Sequence, residues 1–358
     1  MSINYDIIHF EALGKEADHL DEETKKAQAE GLLPKEYNYV ITPLNLQEYL
    51  EQNPDTVLPD IITTKTHSKL PDEYLAGNKK SVITRSAGYD HFEHLIDKAN
   101  VTSLREYCVN AVAQTAIKFT YAACGYLNHY THNTLTFERN KTVSFMELNE
   151  DRTATVFGVG KIGKRIYDLL VGNGLKVQAV DIRADELSEL YNGTVNFVSK
   201  EEALANSDII INAMNLTKIE TSRYYNVNYF DDESFAKTKD GIVFVNVTRG
   251  EIAPESTLMK YYKSGKIIGI GVDVFSGENG FSALVNGKNE NPTDDQKAGF
   301  EMLEMSINRT GNVYVQPHQA FNSDVAALSK ASETIKHMIA WHKNGKKNFD
   351  SQLPYYAV

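Results

Sequence analysis

The stretch Thr153-Ala154-Thr155-Val156-Phe157-Gly158-Val159-Gly160-Lys161-Ile162-Gly163 decides how this chain is read. A run of strand-forming residues passes straight into a glycine hexad, and the residues behind it, Lys164 to Val171, carry a helical pattern. In that setting Gly158 permits a tight turn, Gly160 leaves the backbone open to a pyrophosphate, and Gly163 lets the helix pack closely on the strand. The helix start then turns its free N–H groups and the positive end of its dipole toward the phosphates. The next strand, Lys176 to Val180, ends in Asp181, at the spacing of about 20 residues where an acid meets the hydroxyls of an adenosine ribose. A carboxylate there repels a 2′-phosphate, so NAD is expected, with NADP kept as the alternative by the nearby Arg183. Outside this order, a glycine hexad is only a tight turn and Asp181 only a solvated turn residue.

Outward from the hexad, short apolar runs alternate with longer helical patterns. That is the mark of an α/β chain in which helices cross between parallel strands and flank the sheets. One series of expected strands runs Tyr5 to Phe10, Tyr37 to Ile41, Asp60 to Thr64, Lys80 to Thr84 and Val101 to Leu104, and forms one lobe. A second series runs from Thr153 through Lys176 to Val180, Asp208 to Asn212, Ile242 to Val247 and Ile267 to Val272. Helices fill the gaps, for example Ser256 to Ser264, with Pro254 and Glu255 suited to a first turn. Asn110 to Leu127 is apolar nearly all round and reads as a buried helix linking the lobes. The polar, aromatic segment His129 to Asp151 reads as a surface arm, and Ser276 to Lys297, rich in Gly, Asn and Asp, as a long loop.

At 358 residues the chain exceeds what one core organises well, so two lobes are expected. The net charge of −11 excludes a field that gathers nucleic acid or an anionic membrane, and an anionic substrate must be met by local cations. The start, Met1-Ser2-Ile3-Asn4-Tyr5-Asp6, has no basic leader before an apolar run, and no stretch reaches the roughly 18 apolar residues of a membrane span, so a cytoplasmic protein is expected. Cys108 and Cys124 lack zinc or disulfide-scaffold spacing and read as free thiols. His67, His91, His94, His129, His132, His337 and His342 do not cluster with carboxylates at ligand spacing, so no metal is expected.

Hydride transfer to a 2-oxo acid asks the protein for a cation to hold the carboxylate, an acid for the carbonyl oxygen, and a group that keeps that acid charged. Arg249, between the strand Ile242 to Val247 and Gly250, offers a planar fork for a carboxylate. Glu278 closes Gly271-Val272-Asp273-Val274-Phe275-Ser276-Gly277-Glu278, and His318 follows the strand Val313 to Gln316 and Pro317. A carboxylate paired with an imidazole favours its protonated form, which can donate near neutral pH. Each stands at or beyond a strand's C-terminal end, where open α/β sheets bind ligands. Taken singly, each also fits a surface arginine, a solvated acid or a satisfied histidine.

Together, the hexad, Val245-Asn246-Val247-Thr248-Arg249-Gly250, Ser264-Gly265-Lys266, Gly271 to Phe275 with Glu278, and Pro317-His318 resemble the D-isomer-specific 2-hydroxyacid dehydrogenases. The resemblance covers most of the chain, is strongest from Thr153 to Phe321, and leans toward the D-lactate dehydrogenase branch through the long segment between Glu278 and His318. It implies two Rossmann-like domains: a substrate domain from residues 1–107 and 317–358, and an NAD-binding domain, 108–316, inserted between them, with the active site in the cleft. It assigns Arg249 to the substrate's carboxylate and carbonyl, His318 to acid–base work and Glu278 to that histidine. Arg85-Ser86-Ala87-Gly88-Tyr89-Asp90 matches the substrate loop, with N–H groups at Ala87 and Gly88, while Tyr107 and Phe321 match pocket walls. Asp273 matches the residue near the nicotinamide carboxamide. Lys161 and Ile162 in the hexad, Met214-Asn215 after the fourth strand, and Val247 with Thr248 match cofactor positions.

The implied reaction is NAD-dependent interconversion of a small 2-oxo acid, pyruvate or a bulkier one, with its D-2-hydroxy acid. The implied assembly is a homodimer through the cofactor domain, with the arm His129 to Asp151 as contact. Departures are Cys108-Val109-Asn110-Ala111 where the family has Ser-Pro-Asn-Ala, the proline replaced around Met214-Asn215, and Gln319 and Asn322 beside His318. The alternatives are a non-catalytic NADH-binding dimeric regulator, similar to the C-terminal-binding-protein corepressors, and a phosphoglycerate or formate dehydrogenase of the same superfamily.

Overall fold

Runs of Ile, Val and Thr, whose branched side chains suit a pleated surface, form the strands in a computed structural model that describes residues 3–137, 139 and 143–356. The chain divides into two units, residues 1–108 with 322–358, and residues 109–321. In the first, β1 (Ile3–Asn4) pairs with β4 (Thr56–Val57) as a small ribbon. The strands β2 (Ile7–His9), β3 (Tyr39–Ile41), β5 (Ile61–Thr64), β6 (Lys80–Thr84) and β7 (Ala99–Ser103) form a parallel sheet in the order β3-β2-β5-β6-β7. All of β5 is buried, as expected where helices cover both faces.

One of those helices is the last in the chain. Ala326–Lys343 packs with Lys15–Ala29 over Ile7, Ile61 and Ile83 through Leu20, Ile335, Met338 and Trp341. The Trp341 indole N–H donates to Ser81 Oγ at 2.8 Å, so the two chain ends build one core. At the end of β6 the fully buried Arg85 pairs with Glu16 at 2.8 Å and donates to Thr63 Oγ1 and the Phe10 carbonyl, which fixes the start of the loop Arg85 to Asp90.

The second unit lays down β8 (Thr153–Phe157), β9 (Lys176–Val180), β10 (Ile209–Asn212), β11 (Ile242–Asn246), β12 (Ile267–Val272) and β13 (Val313–Val315). They form one parallel sheet in the order β13-β12-β11-β10-β8-β9. The chain moves from β8 to β9 on one side and then crosses to β10 on the other. Such a reversal opens a crevice at the C-terminal ends of β8 and β10. Beneath it Phe230 meets Phe157 and Phe244 edge-on, with ring centroids 4.9 and 5.0 Å apart.

Four expectations need correction. The helix behind the hexad is Lys161–Gly172, so Lys161, Ile162 and Gly163 are its first turn rather than its approach. The linking helix is Val109–Cys124, shorter than expected, with Gly125 after its last residue. The segment 276–297 is not one loop: it contains the helix Glu278–Val285, where Phe281 stacks on Phe275 at 4.1 Å, and Asp294–Asn308 starts within it behind a Thr293–Gln296 capping box. Finally, the chain returns to the first unit after Phe321 rather than before Pro317, because the Asp273 carboxylate accepts the N–H groups of Gln319 and Ala320 and keeps that segment with β12. The expected arm starts within the helix Leu127–Asn133, and its residues 138 and 140–142 lie outside the described residues.

Candidate active site

At the end of β8 the chain turns at Gly158, with φ of +84°. A Cβ there would lie 2.7 Å from both the N and Cα of Met214, so the loops after β8 and β10 touch backbone to backbone. A Cβ on Gly163 would overlap the Gly158 carbonyl, which sets the helix against the turn. Gly160 differs: a Cβ there would meet nothing within 4 Å. Its lack of a side chain therefore serves no packing inside the protein and leaves open space before the start of Lys161–Gly172, which fits the phosphates of a dinucleotide. We expect Gly158→Ala to weaken NADH binding about 10-fold or more, or ~1.4 kcal/mol, in a fluorescence titration. An unchanged Kd would contradict this reading of the turn.

Asp181 is more than a turn residue. Its Oδ2 accepts the Val159 N–H at 2.8 Å and its Oδ1 the Arg183 N–H at 2.9 Å. The Tyr191 hydroxyl donates to the Val159 carbonyl at 2.9 Å, so the middle of the hexad is pinned from two sides. The Arg183 guanidinium lies 3.8 Å from Asp181 and 3.4 Å from Glu186, two acids that oppose its charge where a 2′-phosphate would need it.

Met214, Asn215, Val247 and Thr248 come to the ends of β10 and β11 through an amide network. Asn212 Nδ2 donates to Asn246 Oδ1 at 3.0 Å and Thr248 Oγ1 at 2.9 Å, and its Oδ1 accepts the Met214 N–H at 3.1 Å. Asn226 Nδ2 donates to the Asn215 carbonyl at 2.7 Å. Asn212, Asn226 and Asn246 were not among the expected site residues. For Asn212 and Asn246 the signal was an asparagine closing an otherwise apolar strand, as in Ile209 to Asn212, since a buried amide needs partners; Asn226 carried no such signal.

Arg249 follows. Asn246 Nδ2 donates to its carbonyl at 2.8 Å, and its Nη1 donates to the Thr248 carbonyl at 2.9 Å. Beside it, a Cβ on Gly250 would overlap the backbone of Phe275 and Ser276. The loops after β11 and β12 therefore press together, and glycine is what lets them. This places Arg249 on the loop against the turn that carries Glu278.

The His318 Nδ1 and Glu278 Oε2 are 2.9 Å apart, both side chains about two-fifths exposed. Burial alone pushes the Glu278 carboxyl up, but the hydrogen bond and charge of His318, the Phe275 N–H and the Arg249 charge together hold it below its ordinary value. An ionised Glu278 can only accept, so Nδ1 carries the shared proton and Nε2 faces away from it. His318 has φ of +53°, a left-handed conformation that costs a non-glycine residue of order 1 kcal/mol. Its N–H donates to the Asp273 carbonyl at 2.7 Å. The Asp273 side chain, pushed up by burial, accepts from Gln316 Nε2, Gln319 N and Ala320 N at 3.1, 2.9 and 3.0 Å. The Phe321 ring stands edge-on to His318 with centroids 6.5 Å apart.

Ala87, Gly88 and Tyr107 belong to the other unit. Ala87 and Gly88 follow β6. The Tyr107 N–H donates to Glu333 Oε2 at 2.9 Å, and Lys330 Nζ lies 5.0 Å from its ring centre. Among the described residues no group of three or more His, Cys, Asp or Glu side chains could hold a metal ion.

Residues 121–320 match the sequence profile of the D-isomer specific 2-hydroxyacid dehydrogenase, NAD binding domain. The D-specific alpha-keto acid dehydrogenase of Enterococcus faecium is 26% identical over 272 residues, covering 74% of this chain and 76% of that protein. The D-lactate dehydrogenase of Lactiplantibacillus plantarum is 26% identical over 298 residues, covering 80% and 79%. Among solved structures, the D-lactate dehydrogenase of Aquifex aeolicus complexed with NAD and lactic acid aligns over 98% of this chain and 100% of that one, with a TM-score of 0.74 and 22% identity, a likeness of fold.

Proposed function

This chain belongs to the D-isomer-specific 2-hydroxyacid dehydrogenase family, and from that membership we propose that it reduces a small 2-oxo acid to the D-2-hydroxy acid with NADH, using Arg249, Glu278 and His318. The observation that carries the proposal is the 2.9 Å pair of His318 and Glu278 on the turn that packs against the Arg249 loop. NADH, when bound, supplies the hydride. Arg249 grips the substrate's carboxylate and polarises its carbonyl. The His318 Nε2–H gives its proton to the carbonyl oxygen as that oxygen becomes an alcohol, while Glu278 steadies the imidazolium through Nδ1. In the oxidative direction neutral Nε2 takes the proton back.

The N–H groups of Ala87 and Gly88 are assigned to the substrate's carboxylate, and Tyr107 and Phe321 to its side chain. Relatives named for D-lactate and for D-specific alpha-keto acids make pyruvate and bulkier 2-oxo acids the substrates to try. NADH oxidation is to be followed with pyruvate, phenylpyruvate, 2-oxoisocaproate and 2-oxoglutarate. At least one is expected to give kcat/KM above about 10⁴ M⁻¹s⁻¹, at the lower end for enzymes. Oxidation with none would favour the NADH-binding regulator.

We assign the arm after the linking helix to contact with a second copy of the chain. Leu135, Phe137 and Phe145 are 80%, 76% and 56% exposed there, large apolar side chains that a second copy would cover. Leu135→Glu combined with Phe137→Glu is expected to turn a dimer into a monomer by light scattering. A dimer that survives both changes would refute the assignment. The cysteines Cys108 and Cys124 are buried and unbridged, which suits the reducing cytoplasm we propose as its compartment. No described helix is long and apolar enough to cross a membrane.

A further inference from the structure

The loop after β11 and the turn after β12 are joined at a second point that the reaction as described leaves unused. Glu255 opens the helix Glu255–Lys263 and is only 2% exposed. Its Oε1 accepts the Ser276 N–H at 2.7 Å. Ser276 shortly precedes Glu278, and its backbone also lies against Gly250. One side chain thus spans from the segment that carries Arg249 to the turn that carries Glu278.

Glu255 Oε2 and Ser276 Oγ are both buried without a hydrogen-bond partner. A buried carboxyl with one oxygen unpaired is costly as an ion and tolerable as an acid. Burial pushes the Glu255 carboxyl up to about 7, with help from the negative charge of Asp295. Ser276 opposes the shift, its hydroxyl near enough to favour the ion yet outside hydrogen-bonding geometry. Asp295 sits on the helix Asp294–Asn308, where its Oδ1 accepts the Ser256 N–H at 3.1 Å and hydroxyl at 2.5 Å. The charged groups on the segments Glu255 joins are Arg249 and Glu251 on its own loop and Glu278 on the turn.

We propose that Glu255 is a positioning residue for the reduction: its carboxyl clamps the Ser276 backbone and so fixes the turn that presents Glu278 to His318. The inference rests on the dehydrogenase reading above. As pH rises through neutrality the ion forms, its unpaired oxygen is drawn toward water, and the turn loosens. Glutamine keeps the carbonyl acceptor and cannot ionise, so it restores the clamp at every pH, whereas alanine removes it.

The test compares wild type, Glu255→Gln and Glu255→Ala in kcat, in KM for NADH and in thermal stability from pH 5 to 8.5. Between pH 6 and 8.5 wild-type kcat for reduction is expected to fall about 5-fold further than that of Glu255→Gln, a difference set by one extra ionisation. Glu255→Ala is expected to lose about 10-fold or more in kcat with KM for NADH nearly constant. The folded-state value is raised, so the ionisation penalty is absent below the ordinary carboxylate range and grows as pH rises to about 7. Glu255→Gln should therefore melt only about 1 °C above wild type at pH 5 and about 3 °C or more above it at pH 8. Superimposable pH profiles for wild type and Glu255→Gln would overturn the proposal, and so would full kcat in Glu255→Ala. If wild type reduces no 2-oxo acid, the dehydrogenase reading fails by itself, and the melting comparison still decides whether Glu255 is held neutral.

Discussion

Replacing His318 with Ala is expected to lower kcat for 2-oxo acid reduction about 1000-fold, within the range that general acid catalysis supplies, while Kd for NADH changes by less than about 2-fold. The proton on Nε2 has no substitute in the described geometry, since Glu278 as an ion can only accept. NADH binding should survive because the hexad, Asp181 and the Asn212 network stand apart from the His318 side chain in sequence and in hydrogen bonding. Loss of the imidazole also removes a hydrogen bond and a charge that hold Glu278 down, so its carboxyl should move up in the variant. The pH dependence follows from the same pair. Glu278 is depressed in the folded protein, so its pairing is present above the ordinary carboxylate range and is lost as pH falls through the lowered value. Reduction should therefore stay active into mild acid and be lost only as pH falls through the lowered Glu278 value. A His318→Ala variant within 10-fold of wild type would remove it from the reaction.

The second large effect is expected at Arg249. Truncating one side of a desolvated charge pair costs about 4 kcal/mol, so Arg249→Ala should lose roughly 1000-fold in kcat/KM for the 2-oxo acid. KM should rise as well as kcat fall, because the guanidinium holds the carboxylate in the ground state and the developing alkoxide later. That split separates it from His318→Ala, where the loss lies in kcat. Arg249→Lys should recover only part of the loss, since an ammonium cannot reproduce the planar fork. The Asn246 hydrogen bond to the Arg249 carbonyl is made by the backbone and survives these changes, so the loop should keep its shape. An Arg249→Ala enzyme with an unchanged KM for every 2-oxo acid would mean that the carboxylate is held elsewhere.

The candidate cofactor half of the site could be picked out because its requirements are local. Strand, turn, helix start and acid lie within one short stretch, and each glycine there answers to a backbone neighbour or to open space. Arg249, Glu278 and His318 could be picked out as candidates from their places beyond strand ends, though only in combination. What escaped depends on contacts between residues distant in sequence. The helix Glu278–Val285 was hidden by the Gly and Asn content of its surroundings and is supported by Phe281 on Phe275. Asn246 and Glu255 look like ordinary polar residues until the fold brings the Arg249 carbonyl and the Ser276 N–H to them. The domain boundary moved because a buried carboxylate, Asp273, collects N–H groups from Gln319 and Ala320. The left-handed turn at His318 has no glycine to announce it.

An experimental structure with NAD⁺ and oxamate, an inert mimic of pyruvate, addresses the central claim most directly. His318 Nε2 is expected within about 3 Å of the oxamate carbonyl oxygen, and the Arg249 guanidinium on its carboxylate. Oxamate bound beside the nicotinamide with both side chains more than about 5 Å away, beyond hydrogen-bond reach, would contradict it.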